Sequence, residues 1–132
     1  MKKYFLILIT IFSIGIGASA QTKSNVISNL STERFKAIIA NDKGGMIIDL
    51  RTIDEISKGY IKGAVQIDYL AKDFDAKMSK LDKTKTYYIY CQSGGRSADA
   101  ADYMEKQGFK KVYTLEKGFS DWKAKEFPVE QK

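Results

Sequence analysis

The sequence has 132 residues, of which 44% are hydrophobic and 29% are charged, as expected for one globular domain with a core of ordinary size. This composition excludes a disordered or fibrous chain. The net charge of +6 comes from 22 basic residues dispersed among 16 acidic ones, without the basic and aromatic block that a nucleic-acid groove requires. We therefore expect a basic, solvated surface that attracts small anions and binds no nucleic acid.

The first twenty residues, MKKYFLILITIFSIGIGASA, have the pattern of a secretory signal peptide. Lys2 and Lys3 precede an apolar stretch that ends at Ala18-Ser19-Ala20, an A-x-A cleavage pattern. An uncleaved membrane anchor is the alternative, because residues 4–20 are just long enough to span a bilayer. The sequence thus predicts a signal peptide over residues 1–20 and a mature domain over residues 21–132. The protein would be exported, either periplasmic or secreted, and would contact a membrane only through an uncleaved leader.

Short β-rich runs alternate with helical patterns along the mature chain, after a polar lead that reaches Leu30. The predicted strands cover residues 46–50, 64–67, 86–90 and 111–115, with residues 26–27 as an added edge strand. The predicted helices cover residues 32–40, a short turn from 52 to 59, and residues 74–81, 97–107 and 120–125. Thr52 and Glu55 have the spacing of a capping box at the start of the short turn. Strands separated by helices indicate βαβ units. We therefore predict a three-layer α/β fold, with a parallel sheet of about five strands and helices on both faces.

The chain's only cysteine, Cys91, lies where a predicted strand ends and a helical pattern follows. In open α/β sheets ligands bind outside the carboxyl ends of the strands, so this is a place for chemistry. The backbone N–H groups of a small, flexible loop can turn inward here, and the following helix directs its positive end at the same point. The loop consists of Gln92, Ser93, Gly94 and Gly95, followed by the positive charge of Arg96. We therefore predict that the pKa of Cys91 lies below the value of about 8.5 for a free thiol.

Other functions for this cysteine are limited by what the sequence lacks. There is no histidine, which excludes a Cys–His pair, a histidine triad and the usual histidine metal sites. A single cysteine also excludes a C-x-x-C dithiol centre. Activation of the thiol must be electrostatic, and we expect neither a metal nor an organic cofactor. The alternative is a buried cysteine that acts only as a small hydrophobic residue.

Two segments, IIDLRTIDEISKGYIKGAVQI and YYIYCQSGGRSADAADYMEKQGFKKVYTLEKGFSDWKAKEFPVE, carry a resemblance to a known family. The chain from residue 26 to 129 resembles a single-domain rhodanese, a sulfurtransferase family that carries sulfane sulfur as a cysteine persulfide. The resemblance implies that Cys91 is the sulfur-accepting nucleophile and that Asp49 is a buried structural residue near the site. It further implies a substrate-binding set consisting of Gln92, Ser93, Gly94, Gly95, Arg96, Ser97 and Arg51. For Arg51, pairing with Asp54 or Glu55 is an equal alternative.

The sequence departs from the family's usual pattern at Tyr60, Lys62 and Lys117, where histidine, proline and glycine are common. We expect the fold to tolerate the first two changes, whereas the third lies near the rim of the pocket. Four residues separate Cys91 from Arg96. The related phosphatases resemble C-x5-R, so the shorter loop favours a sulfane sulfur over a phosphate.

The resemblance implies a sulfurtransferase that uses a small anionic donor such as thiosulfate and a cyanide or thiol acceptor, and the leader pattern predicts that it is exported. One alternative is a sulfur-relay or binding module that passes its persulfide to a partner protein. A small cysteine-based phosphatase is a third, less favoured interpretation.

Overall fold

The computed structural model describes Gly15, Gly17 and residues 24–131. Nearly all of the predicted signal peptide lies outside these residues, so its prediction is not tested. The elements, in chain order, are β1 (Ile27–Leu30), α1 (Thr32–Asn41), β2 (Met46–Asp49), α2 (Ile53–Ser57), β3 (Val65–Gln66), α3 (Phe74–Ser79), β4 (Thr86–Tyr90), α4 (Gly95–Lys106), β5 (Lys111–Leu115) and α5 (Gly118–Ala124). Within the described part of the chain, no helix has the length and apolar character needed to cross a membrane.

The strands form one parallel five-stranded sheet in the order β1-β5-β4-β2-β3. The central strand, β4, pairs with β2 on one side and β5 on the other, through partners such as Ile48↔Ile89 and Tyr88↔Tyr113. The carboxyl ends of all these strands therefore meet at one edge of the sheet. The predicted α/β class with about five parallel strands is confirmed.

Helices cover both faces of the sheet because side chains alternate along its strands. Tyr87, Ile89 and Cys91 belong to a core cluster on the face that α3 and α4 cover, whereas Tyr88 and Tyr90 belong to the opposite cluster, covered by α1 and α5. Burial on both faces explains why β4 reads as a continuous apolar and aromatic run. The result is the predicted three-layer arrangement, with Cys91 at the end of its most buried strand.

The first strand differs from its prediction. Residues 26–27 were expected to form the edge strand and residues 28–30 to belong to a polar lead, but β1 runs from Ile27 to Leu30. Its polar residues fit because they have partners on β5: the Asn29 carbonyl oxygen Oδ1 accepts a 2.7 Å hydrogen bond from Thr114 Oγ1. The prediction for residues 28–30 was wrong because it rested on their polarity, whereas polar side chains of this edge strand are hydrogen-bonded to the neighbouring strand.

Two helices begin earlier than predicted. α4 begins at Gly95 rather than near Ser97, and α5 begins at Gly118 rather than Ser120. Both starts follow or include glycines with positive φ, Gly94 at 103° and Gly118 at 70°. A glycine in a sequence suggests the end of a helix, but in this fold each of these glycines forms the sharp turn that brings its helix close to the loop of residues 92–95.

Candidate active site

Cys91 directly follows the central strand β4, at the carboxyl edge of the sheet, and α4 begins four residues later. Only 1% of the residue is exposed. Its buried position and the parallel topology place its sulfur beneath the loop formed by residues 92–95, at the edge of the sheet where ligands bind in open α/β folds. The lone cysteine is therefore located at the ligand-binding edge of the fold.

Hydrogen-bond donors surround the sulfur of Cys91. The amide nitrogens of Gly94 and Ser97 lie 3.1 Å and 3.4 Å from Sγ, and the Ser97 hydroxyl oxygen lies 3.6 Å away. Burial of the Cys91 thiol acts to raise its pKa. The hydrogen bond with the Ser97 hydroxyl and those from the amides of Ser97, Gly94 and Ser93 outweigh that effect, so the pKa lies below its ordinary value. This direction agrees with the sequence prediction.

The Ser97 hydroxyl has two potential acceptors and only one hydrogen to donate. It donates to the Gly94 carbonyl oxygen over 3.0 Å, which leaves its oxygen free to accept from a protonated Cys91 thiol. When the thiol loses its proton, rotation of the hydroxyl can redirect this hydrogen to the sulfur. Ser97 can thus stabilise either protonation state of the nucleophile.

Backbone hydrogen bonds from the start of α5 fix the conformation of the active-site loop, which consists of residues 92–95. The Phe119 amide donates to the Cys91 carbonyl oxygen over 2.8 Å, and the Ser120 amide donates to the Gln92 carbonyl oxygen over 3.0 Å. A Cβ atom at Gly118 would lie 2.4 Å from the Gln92 carbonyl oxygen, which is too close for any side chain. The start of α5 therefore packs directly on the active-site loop, and only glycine permits this approach.

A buried ion pair between Arg51 and Asp49 contacts the active-site loop at Gln92. Asp49 and Arg51 are 2% and 1% exposed, and the Arg51 nitrogens Nε and Nη2 donate to the two carboxylate oxygens over 2.9 Å and 2.7 Å. Arg51 Nη2 also donates to the Gly59 carbonyl oxygen, and Nη1 donates to Gln92 Oε1 over 3.1 Å. The Tyr90 hydroxyl donates to Asp49 Oδ2. Arg51 thus links the end of β2 to the active-site loop.

This arrangement answers the question that the sequence left open for Arg51. It pairs with Asp49, not with Asp54 or Glu55, because the guanidinium turns inward beneath Phe119, whose ring centroid lies 4.0 Å from Cζ. Its position beside Gln92 places it at the site that the sequence predicted for it. Its charge, however, is compensated by a carboxylate.

Arg96 forms a second ion pair, which is partly exposed. Its nitrogens Nη1 and Nη2 donate to the Glu55 oxygens Oε1 and Oε2 over 2.9 Å and 2.8 Å, and the two side chains are 22% and 28% exposed. These hydrogen bonds, followed by nearby negative charges that include Cys91, raise the pKa of Arg96. The same contact lowers the pKa of Glu55 to about 2. Arg96 therefore lies near the thiol, but with its charge already engaged.

Glu55 is the residue whose position at the site the sequence left unresolved. Its spacing from Thr52 predicts a capping box, and the structure confirms that role, since Glu55 Oε1 accepts from the Thr52 amide over 3.2 Å. The same oxygen also binds Arg96, 41 residues away. A long-range contact of this kind leaves no local pattern in the sequence.

The remaining predicted loop residues lie around the thiol in different ways. Ser93 and Gly95 are exposed at the surface of the loop, whereas Gly94 and Gln92 are partly buried. A cavity of about 210 Å³ opens beside Gln92, lined by Arg51, Glu55, Lys58, Gln92, Phe119 and Lys123. The structure thus brings Cys91, its loop, Arg51 and Arg96 into one region.

The fold and the site define an α/β protein whose buried cysteine lies in a ring of backbone amides that stabilise a thiolate. Comparison with known proteins identifies the class further: the Rhodanese-like domain family matches residues 31–125. The chain belongs to the rhodanese-like domain family.

Two curated proteins and one solved structure show the extent of this similarity. The chain is 36% identical to "Putative sulfur carrier protein YrkF" of Bacillus subtilis over 83% of this chain and 58% of that protein. It is 37% identical to "Putative sulfurtransferase YtwF" of the same organism, over 77% of this chain and 96% of that protein. The crystal structure of a rhodanese-like domain protein from Staphylococcus aureus aligns with a TM-score of 0.69 and 28% identity, covering 80% of this chain and 98% of the other. The relatives support a role in rhodanese-like sulfur transfer.

Proposed function

We propose that the protein is an exported sulfurtransferase that moves sulfane sulfur from thiosulfate to a thiol or cyanide acceptor through a Cys91 persulfide. The observation that carries this proposal is the environment of Cys91 Sγ: the amides of Gly94 and Ser97 donate to the sulfur, and the Ser97 hydroxyl oxygen lies 3.6 Å from it. Such a ring lowers the thiol pKa and offers N–H groups to an anionic substrate. Export is proposed from the leader pattern of residues 1–20.

In the first half-reaction the Cys91 thiolate attacks the outer sulfur of thiosulfate. A bond forms between Sγ and that sulfur, the sulfur–sulfur bond of the donor breaks, and its electron pair leaves with sulfite. The loop amides stabilise the negative charge on the reacting atoms, and they are fixed before the donor arrives because α5 holds the loop from behind. The second half-reaction returns Cys91 to the thiolate form, so the kinetics should be ping-pong.

Intact mass spectrometry of the purified protein tests the proposal. Thiosulfate should add the mass of one sulfur atom to the wild-type protein, and cyanide should remove it. Cys91→Ser should show neither change, and the wild-type thiol must first be shown to be reduced. If thiosulfate and other sulfane donors all leave the reduced wild-type mass unaltered, the proposed enzyme function is wrong.

A relay module that hands its persulfide to a partner protein is the second candidate function. The observation in its favour is that one relative is named a sulfur carrier protein. A relay module would acquire the persulfide but release it slowly to cyanide and small thiols. The rate of the second step in the same mass experiment therefore separates the two functions.

A further inference from the structure

The cavity of about 210 Å³ beside the active-site loop has no role in the first half-reaction described above. Its lining begins one residue from the nucleophile, at Gln92, and includes Phe119, whose amide donates to the Cys91 carbonyl oxygen over 2.8 Å. The cavity is smaller than the range of about 300–1,000 Å³ that is usual for drug-sized ligands. Its size fits part of a small molecule, and two of its lining residues, Gln92 and Phe119, adjoin Cys91 through the chain and through a backbone hydrogen bond.

The charged groups of this cavity leave a surplus of positive charge. Its buried arginine and its glutamate are each already paired, with Asp49 and Arg96 respectively. Lys58 and Lys123 are both exposed, and neither pairs with a carboxylate among residues 24–131. Two uncompensated ammonium groups at the edge of a small cavity attract an anion.

The other lining groups add a donor and an apolar wall. Gln92 Oε1 accepts from Arg51 Nη1, which fixes the side-chain amide so that Nε2 is its donor end. Among the hydrogen bonds of residues 24–131, none has Gln92 Nε2 as its donor. Phe119 supplies a buried aromatic surface. A ligand that matches these groups carries an anionic, planar acceptor group on a short apolar chain.

We propose that this cavity is a subsite for the carboxylate of a small acceptor thiol, and that Lys58 and Lys123 select for that carboxylate. The inference rests on the proposed sulfurtransferase function and specifies its acceptor. A carboxylate accepts from the two ammonium groups and from Gln92 Nε2, while the carbon chain of the thiol packs on Phe119. This places the acceptor's sulfur next to the persulfide.

The transfer step balances without any further reactant. The acceptor thiolate attacks the outer sulfur of the Cys91 persulfide, a new sulfur–sulfur bond forms on the acceptor, and the bond between Sγ and the outer sulfur breaks. Its electron pair returns to Sγ, which leaves as the thiolate that the Gly94 and Ser97 amides stabilise. The acceptor departs as a persulfide that carries its carboxylate. Holding the acceptor in place raises the effective concentration of its sulfur.

The test uses the persulfide form of the full protein after removal of the donor, with 3-mercaptopropionate and its methyl ester as matched acceptors. The ratio of second-order rate constants for the acid over the ester isolates the carboxylate, because the intrinsic reactivities cancel between protein variants. In Lys58→Gln/Lys123→Gln this ratio should fall about fivefold to tenfold, since exposed ion pairs contribute at most about a factor of five each. Lys80→Gln, which removes an exposed charge outside the cavity lining, should retain the wild-type ratio.

The dependence of this rate ratio on ionic strength is a second test of the subsite. The wild-type ratio should fall as ionic strength rises from about 0.01 M to about 1 M, because the Debye length shrinks from about 30 Å to about 3 Å. The ratio of the double variant should respond less. The inference is overturned if the double variant keeps the wild-type ratio, or if Lys80→Gln lowers it equally.

A binding measurement separates failure of the subsite from failure of the sulfurtransferase function. In nitrogen-15 spectra of Cys91→Ser, 3-mercaptopropionate should shift the amide signals of Gly59 and Gln92 more than the ester does, and Lys58→Gln/Lys123→Gln in the same background should abolish the difference. If wild type forms no persulfide but this difference appears, the subsite stands and the proposed function falls. Equal shifts from acid and ester would refute the subsite whatever the persulfide result.

Discussion

The active-site loop has two sides that use similar chemistry in different surroundings. The inner side consists of Asp49, Arg51 and Gly118, which are buried, and Gly94, which is partly buried; it packs against backbone and aromatic groups. The outer side, which consists of Glu55, Gly95 and Arg96, is partly exposed. Each side contains one arginine–carboxylate pair, so the contrast lies in burial.

The difference indicates a division of roles. A buried ion pair leaves an uncompensated charge when one partner is removed, so it fixes the structure of the groups around it. An exposed pair can separate at little cost, because water solvates each partner. We infer that the inner side sets the shape of the loop, whereas the outer side modulates access and charge.

Removal of the buried carboxylate should have the largest effect. Asp49→Ala leaves the Arg51 guanidinium without its ion-pair partner and the Tyr90 hydroxyl without its acceptor. We expect the free energy of unfolding to fall by about 3–5 kcal/mol, measured by urea denaturation at pH 7. Asp54→Ala, at an exposed position in the first turn of α2, is the matched control and should cost less than about 1 kcal/mol. Equal losses in the two variants would contradict the assigned role of the inner pair.

Two neighbouring glycines allow the same comparison within the loop itself. A Cβ atom at Gly94, which has φ 103°, would lie 2.1 Å from the Glu116 carbonyl oxygen, whereas a Cβ atom at Gly95 would have no heavy atom within 4 Å. We expect Gly94→Ala to destabilise the protein by about 1–3 kcal/mol and to slow alkylation of Cys91. Gly95→Ala should be neutral or stabilising by up to about 1 kcal/mol. Thermal unfolding and iodoacetamide rates measure both effects. A larger loss of stability in Gly95→Ala than in Gly94→Ala would contradict this conformation of the loop.

The sequence predicted much of this architecture because its signals are local. Alternating apolar runs and helix caps identified three layers of secondary structure, and the capping box at Thr52 is present as expected. The placement of Cys91 followed from parallel topology, which brings every strand end to one edge of the sheet.

The partners of the two arginines could not be predicted in the same way. Asp49, Asp54 and Glu55 all lie within four residues of Arg51, and only the inward turn of its side chain selects Asp49. Glu55 and Arg96 are brought together by the pairing of β2 with β4, and nothing near either residue in the sequence indicates that contact. Compensation of charge at a site is a property of the folded chain, so motif spacing predicted the positions of these residues but not their electrostatic state.

Ser97 connects the inner side to the nucleophile, and its hydroxyl contributes to the lowered pKa of the Cys91 thiol. Ser97→Ala removes that hydroxyl but keeps the amide that donates to Sγ. We expect the pKa of Cys91 to rise, because fewer hydrogen bonds then offset the effect of burial on the thiol. Alkylation at pH 7 should therefore slow severalfold. The pH dependence of iodoacetamide reactivity measures the shift. Alkylation at high pH, where the thiolate predominates in both proteins, should be similar; a rate loss that persists there would indicate a structural defect instead.

Removal of the outer ion pair should have the smallest effect on the free energy of unfolding. This effect should depend on pH, because it comes from the ionised Glu55 carboxylate. Glu55→Gln removes the charge that binds Arg96 but retains an oxygen for the Thr52 amide, so the helix cap survives. Because the folded state lowers the pKa of Glu55 from 4.5 to about 2, the ionised carboxylate stabilises the protein fully above its ordinary pKa, and this contribution declines as the pH falls toward 2. We expect Glu55→Gln to cost no more than about 1 kcal/mol at pH 7 and progressively less below pH 4.5, measured by urea denaturation across that range. A cost that equals that of Asp49→Ala, or one that does not change with pH, would show that the outer pair supports the fold as the inner pair does, and the division between the two sides of the loop would fail.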